Sequence, residues 1–177
     1  MLKRLTLIAC LVLAATAGRA GEASEITTAA LYAGDLEGGI AKLEPLGAAN
    51  QEARFGIGFL RFVGAIEAFA QGLYRHGFTA PDGGTMVGRP LAMPVPTNPD
   101  PEPLTYEKFR ALLQQLVDGL DAARPVLLEA GASGEYVVPV ELPKIHVDID
   151  GNGQVGESES IGAIFSMMFG SASTDPA

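Results

Sequence analysis

Asp148-Ile149-Asp150-Gly151-Asn152-Gly153-Gln154-Val155-Gly156-Glu157-Ser158-Glu159 is the stretch from which the rest of the chain is read. Three short oxygen-bearing side chains, Asp148, Asp150 and Asn152, recur at every second residue, so all three point into one turn. Gly153 allows the positive φ that reverses the chain at its sharpest point. Glu159 closes the stretch with a longer carboxylate that can reach back. Three carboxylates repel one another around a shared centre, so the segment is expected to be loose without a cation and ordered with one. Donors that are all oxygen suit a hard cation.

Counted from Asp148, the stretch has Asp at position 1, Asp at 3, Asn at 5, Gly at 6, an apolar Val at 8 and Glu at 12, and this spacing resembles an EF-hand calcium loop. The resemblance implies one calcium ion with about seven oxygen ligands. Asp148, Asp150 and Asn152 would bind through their side chains, Gln154 through its main-chain carbonyl, and Glu159 with both carboxylate oxygens. Gly156 at position 9 has no side-chain oxygen, so water fills that place. Glu157 adds charge without ligating. Calcium is favoured over magnesium, because flexible oxygen ligands spread over a long loop suit the larger ion. The plain alternative is an acidic Asx turn that binds nothing.

Outward from the loop, the incoming helix of an EF-hand is missing. Pro139 and Pro143 precede the loop, and Pro143 would fall in that helix without a donor. The run Tyr136-Val137-Val138-Pro139-Val140-Glu141-Leu142 reads as extended, β-branched chain. The loop is therefore expected to be entered from an extended segment and left through a helix over Ser160–Gly170, with Ile161, Ile164, Phe165 and Met168 on its apolar side. Dockerin modules are similar in having a calcium loop and an exiting helix without a full entering one. No second loop is present in the sequence, so Val155 packs within the chain or pairs with another copy in a homodimer.

At the other end, residues 1–20 read as an export signal. Lys3 and Arg4 precede an apolar run from Leu5 to Ala15, and Ala15-Thr16-Ala17 or Gly18-Arg19-Ala20 fits cleavage. Leu7-Ile8-Ala9-Cys10 matches a lipoprotein box but comes too early in the apolar run. Cleavage removes the only cysteine, Cys10, and with it any thiol chemistry. Loss of Lys3, Arg4 and Arg19 leaves 9 basic against 21 acidic residues, a balance of −12. Such a surface repels nucleic acid and anionic lipid. These features predict a periplasmic or secreted protein with no membrane span in the mature chain.

The body of the chain reads as one mainly α domain over residues 21–170. Two short helices are expected over 24–49, turning at Gly34-Asp35, with Leu36, Ile40, Leu43 and Leu46 at helical spacing. Gly-Asp followed by Ile40-Ala41-Lys42-Leu43-Glu44-Pro45-Leu46 resembles one tetratricopeptide or Sel1-type repeat, and no period recurs downstream. Residues 51–76 predict the central helix, with a stripe of Phe55, Phe59, Phe62, Val63, Ile66, Phe69 and Leu73 widened by Ile57 and Leu60. Its glycines would admit a neighbouring helix at close range. Residues 77–104 carry too many prolines for regular structure and too many apolar residues for a free linker, so an ordered strap over the helices is expected. Thr105 is the expected N-cap of a last long helix carrying Phe109, Leu112, Leu113, Leu116, Val117, Leu120 and Ala123, kinked or ended at Pro125. The tail at 171–177 is expected to be disordered.

No catalytic constellation is visible. His76 and His146 stand alone, and neither a serine elbow nor a phosphate loop is present. The expectation is an exported calcium-binding protein whose single ion staples the last helix to a helical core, serving a protein or small-molecule partner that is not identified. The alternative is a periplasmic enzyme or solute-binding protein with a pocket between the helix at 51–76 and the proline-rich strap, the calcium being incidental.

Overall fold

The computed structural model describes residues 21–47, 50–78, 97–131 and 136–169. Five α-helices form among them, α1 (Glu22–Ala33), α2 (Leu36–Gly47), α3 (Gln51–Arg75), α4 (Tyr106–Gly131) and α5 (Ile161–Phe169), and no strand does. The fold is mainly α, as the periodicity predicts. None of these helices is long and apolar enough to cross a membrane. The expected signal segment, most of the strap (79–96) and the tail lie outside the described residues.

Local chemistry sets the helix ends. Gly34 ends α1 in the left-handed conformation, φ 66°. Asp35 then begins α2, its Oδ1 accepting the Gly38 N–H at 3.0 Å. Asn50 caps α3 by accepting from Glu52 and Ala53 N–H. At the other end of α3, Asn98 Nδ2 donates to the carbonyls of Tyr74 and Arg75, two of the acceptors a helix end leaves unpaired. Thr105 Oγ1 accepts the Lys108 N–H at 3.3 Å and caps α4 as expected. Pro125 does not end α4, which runs on to Gly131.

The central helix is α3, with α1 and α2 on one side and α4 on another. The stripe expected to be its core face is corrected at its aromatic positions and at Ile66. Phe62 and Ile66 are exposed, and Phe55, Phe59 and Phe69 only half-buried. Val63, Leu73, Ile57 and Leu60 are buried as expected, and the remaining buried positions are small residues, Ala53, Gly56, Gly58, Ala65, Ala70 and Gly72. Small residues win because they let helices approach. Gly58 sits against Leu127 and Gly72 against Leu112, both on α4, and Gly56 sits against Thr27 and Leu43 of α1 and α2. Bulky rings cannot occupy those seams, so they gather at the rim. There Phe55 and Phe59 stack at 5.8 Å, Phe59 and Phe62 at 6.3 Å, and Phe55 meets Tyr136 at 5.6 Å.

Residues 136–141 are extended and lie along α1. Ser24 Oγ donates to the Val137 carbonyl, Thr28 Oγ1 to that of Pro139, and Tyr32 Oη accepts the Glu141 N–H. Four residues of helix rise about 6 Å and two of extended chain about 6.6 Å. Hydroxyls every fourth residue on α1 therefore keep step with every second residue of the segment. This leads the chain, through one tight turn at Leu142–Lys144, to the loop.

Candidate metal centre

From Ile145 the backbone stays extended and alternates. Ile145, Val147 and Ile149 are buried in the helical core, while His146, Asp148 and Asp150 stay half-buried on the other side. The backbone N–H groups alternate too. The His146 N–H donates to the Leu31 carbonyl at 3.0 Å, and the Asp148 N–H to Glu67 Oε2 at 2.9 Å. On the opposite edge, the Val147 N–H donates to the Glu159 carbonyl at 3.1 Å and the Ile149 N–H to Glu159 Oε1 at 2.8 Å. An antiparallel bridge between His146 and Ser160, with Ile161 N–H donating to Ile145 O at 2.8 Å, closes the base of the loop. Side chains and a helix end thus do the work of neighbouring strands, and the polar backbone of a buried ribbon finds its partners without a sheet.

Inside the loop the side chains organise the turn. Asp148 Oδ1 accepts from Gly151 and Asn152 N–H, and Oδ2 from Gly153 N–H. Asp150 Oδ1 accepts the Asn152 N–H at 3.0 Å, and Asn152 Oδ1 the Gln154 N–H at 2.7 Å. These are successive Asx turns, the conformation that Asp and Asn favour. Gly153 has the expected positive φ, 78°, and Gly151 also has one, 72°.

Of the five residues expected to ligate, the three carboxylates come together. One carboxylate oxygen each from Asp148, Asp150 and Glu159 lies within 4.8 Å of the others, a cluster able to hold a metal ion. Glu159 is only 5 % exposed and is the one buried charged residue among those described. Its Oε1 accepts from Ile149 and Asp150 N–H, and its Oε2 accepts the Gly156 N–H at 2.8 Å. The ion pairs of Arg61 with Glu44, Lys108 with Glu102 and Lys144 with Glu141 include no loop residue. A buried carboxylate beside two further ones is costly unless a cation or strong donors compensate it. The donor set, all oxygen and anionic, fits a hard cation. Asn152 and Gln154 lie in the same turn and are exposed.

Two residues that the sequence reading did not assign to the site belong to its surroundings. Glu67 and Gln71, one turn apart on α3, grip a single residue. Glu67 Oε2 accepts the Asp148 N–H, and Gln71 Nε2 donates to the Asp148 carbonyl at 2.8 Å. Burial pushes the Glu67 carboxyl above its usual range. The Asp148 N–H pulls it back, and the charges of Asp148, Glu159 and Glu37 push it further up. A cleft of about 530 Å³ opens beside this contact, lined by Asp35, Glu37, Arg61, Glu67, Gln71 and Asp148 among others. It lies between α2, α3 and the loop, whereas the pocket expected under the strap falls on residues outside those described.

Val155, at the eighth loop position, is half-buried against Gly34 in the α1–α2 turn of the same chain. Past the loop, Ile161 and Ile164 of α5 pack on the core cluster. The side chains of Phe165 and Met168 lie outside what the structure describes. His76 is a backbone contact of the α3 end, its Nδ1 3.1 Å from the Glu102 carbonyl, and His146 Nδ1 is 3.0 Å from the Lys144 carbonyl. Neither histidine joins the carboxylate cluster. Comparison with known proteins adds no relative: no protein-family model matches the chain, and no curated protein or solved structure is significantly similar to it.

Proposed function

We propose that this chain is an exported calcium-binding protein in which one EF-hand-like loop holds a structural ion. The ligands are Asp148, Asp150 and Asn152 through their side chains, Gln154 through its carbonyl, and Glu159 with both oxygens. The observation that carries the reading is the convergence of Asp148, Asp150 and a buried Glu159 at the first, third and twelfth loop positions. Oxygen donors in a glycine-bearing loop favour calcium over magnesium, which demands tighter octahedral geometry.

A structural role fits better than a switch. A switch needs a helix pair that opens around the loop. Here the loop is entered through an extended ribbon bonded on both edges, and it leaves into α5 through Glu159 itself. The ion would therefore tie α5 to the core and neutralise the buried carboxylate. The basic start and apolar run of residues 1–20 support export in this reading.

Calorimetric titration of chelator-stripped protein tests it. One calcium should bind per chain, with magnesium weaker. No heat with calcium would reject the site.

A further inference from the structure

Glu67 and Gln71 lie outside the loop, yet they hold both backbone polar groups, N–H and C=O, of the residue that carries its first carboxylate. In an extended residue the N–H and C=O point to the same side, as they do toward a neighbouring strand. Residues four apart on a helix are neighbours on one face. Glu67 and Gln71 match that pair of groups, acceptor to donor and donor to acceptor, at 2.9 and 2.8 Å. The other edge of the same ribbon is held by Glu159, which is itself the closing residue of the cluster. The direction in which Asp148 faces is therefore set from α3, 77 residues away along the chain from Gln71.

We propose that Glu67 and Gln71 are the positioning residues of the cation loop, fixing the backbone of Asp148 so that its carboxylate meets those of Asp150 and Glu159 before the cation arrives. The inference rests on the calcium reading above. A solitary loop has no second loop to brace it, and α3 supplies the brace, with Gly34 receiving Val155 on the other flank. Outer partners of metal ligands typically set affinity by about 10–100-fold.

The test is calorimetric calcium titration of the full chain in four forms: wild type, Glu67→Ala, Glu67→Gln and Gln71→Ala. Each is also melted in chelator. Glu67→Ala should weaken calcium binding by about 10–100-fold. Glu67→Gln keeps an oxygen that can accept the Asp148 N–H and should recover most of that loss. In chelator the same Glu67→Gln variant should melt no lower than wild type, since it removes a half-buried charge from beside Asp148 and Glu159. A merely structural residue would lower affinity and metal-free stability together. Gln71→Ala, at a half-buried position, should weaken binding with the helices intact by circular dichroism, and it covers the case in which Glu67→Ala does not fold. Wild-type affinity in both alanine variants would overturn the positioning role and leave the calcium site standing. Equal losses in Glu67→Gln and Glu67→Ala would overturn it in favour of bare charge. Absence of calcium binding by the wild type would overturn the proposed function and this inference with it.

Discussion

Helices α3 and α4 are nearly equal in length, 25 and 26 residues, both amphipathic and packed side by side. Their roles differ sharply. α3 buries ten residues and touches α1, α2, α4 and the loop. α4 buries three, Leu112, Ala123 and Ala130, and leaves Leu113 and Val117 exposed. The difference teaches that amphipathicity alone does not rank helices. What makes α3 central is its run of small residues, which opens two seams to neighbours, and its polar pair Glu67 and Gln71, which opens a third contact to the loop.

The comparison can be tested by unequal damage. Leu60 on α3 is fully buried, so Leu60→Ala should cost about 2–5 kcal/mol in denaturant unfolding. Val117→Ala on α4, at a position 49 % exposed, should stay within about 0.5 kcal/mol. Similar costs at the two sites would erase the distinction.

A smaller effect probes the seam itself. A Cβ on Gly58 would lie 2.8 Å from Leu127 Cγ and 3.1 Å from the Leu127 backbone nitrogen. Overpacking of this kind costs about 1–3 kcal/mol, against about 1 kcal/mol gained from helix propensity. Gly58→Ala should therefore destabilise. Gly131→Ala on α4, where among the described residues nothing lies within 4 Å of the added Cβ, should be neutral or slightly stabilising. A stabilised Gly58→Ala variant would contradict close packing of α3 on α4.

The smallest expected effect is electrostatic. Glu67 has its carboxyl pushed up by burial, so the folded state binds its proton more readily than the unfolded chain does. For this group, stability is lost as pH rises through the folded pKa and regained as pH falls through it. In chelator, the stability advantage of Glu67→Gln over wild type should be greatest near neutral pH and shrink on acidification. An advantage that grows on acidification would have the wrong sign.

The legible parts were those written locally. Asp148, Asp150, Asn152, Gly153 and Glu159 lie within twelve residues, and the alternation of the first three is a backbone rule that needs no distant partner. The same holds for Gly34-Asp35, which ends one helix and starts the next. The α3 stripe was right at Ile57, Leu60, Val63 and Leu73 and misled at its aromatic positions, because periodicity marks apolar positions without saying which face a neighbour will approach. Small residues at 56, 58, 65, 70 and 72 decided that, and they carry little hydropathy signal. The alternation of Ile145, Val147 and Ile149 was a readable sign of a ribbon buried on one face. Glu67 and Gln71 were not readable at all as partners of the loop. Only the fold brings α3 to Asp148, and an acidic residue on a helix gives no hint of which peptide it will hold.

In the proposed function one cation, held through Glu159, fastens the C-terminal helix to the core. Thermal melting of wild type and Glu159→Gln, each with calcium and with chelator, tests it most directly. Calcium at about 100 times its dissociation constant adds about 2.7 kcal/mol by mass action, which is roughly 5–10 °C for a domain of this size. The wild type should gain that shift, and Glu159→Gln should melt in calcium close to the chelated protein. A wild-type melting temperature unchanged by calcium, or an equal shift in the variant, would contradict the account.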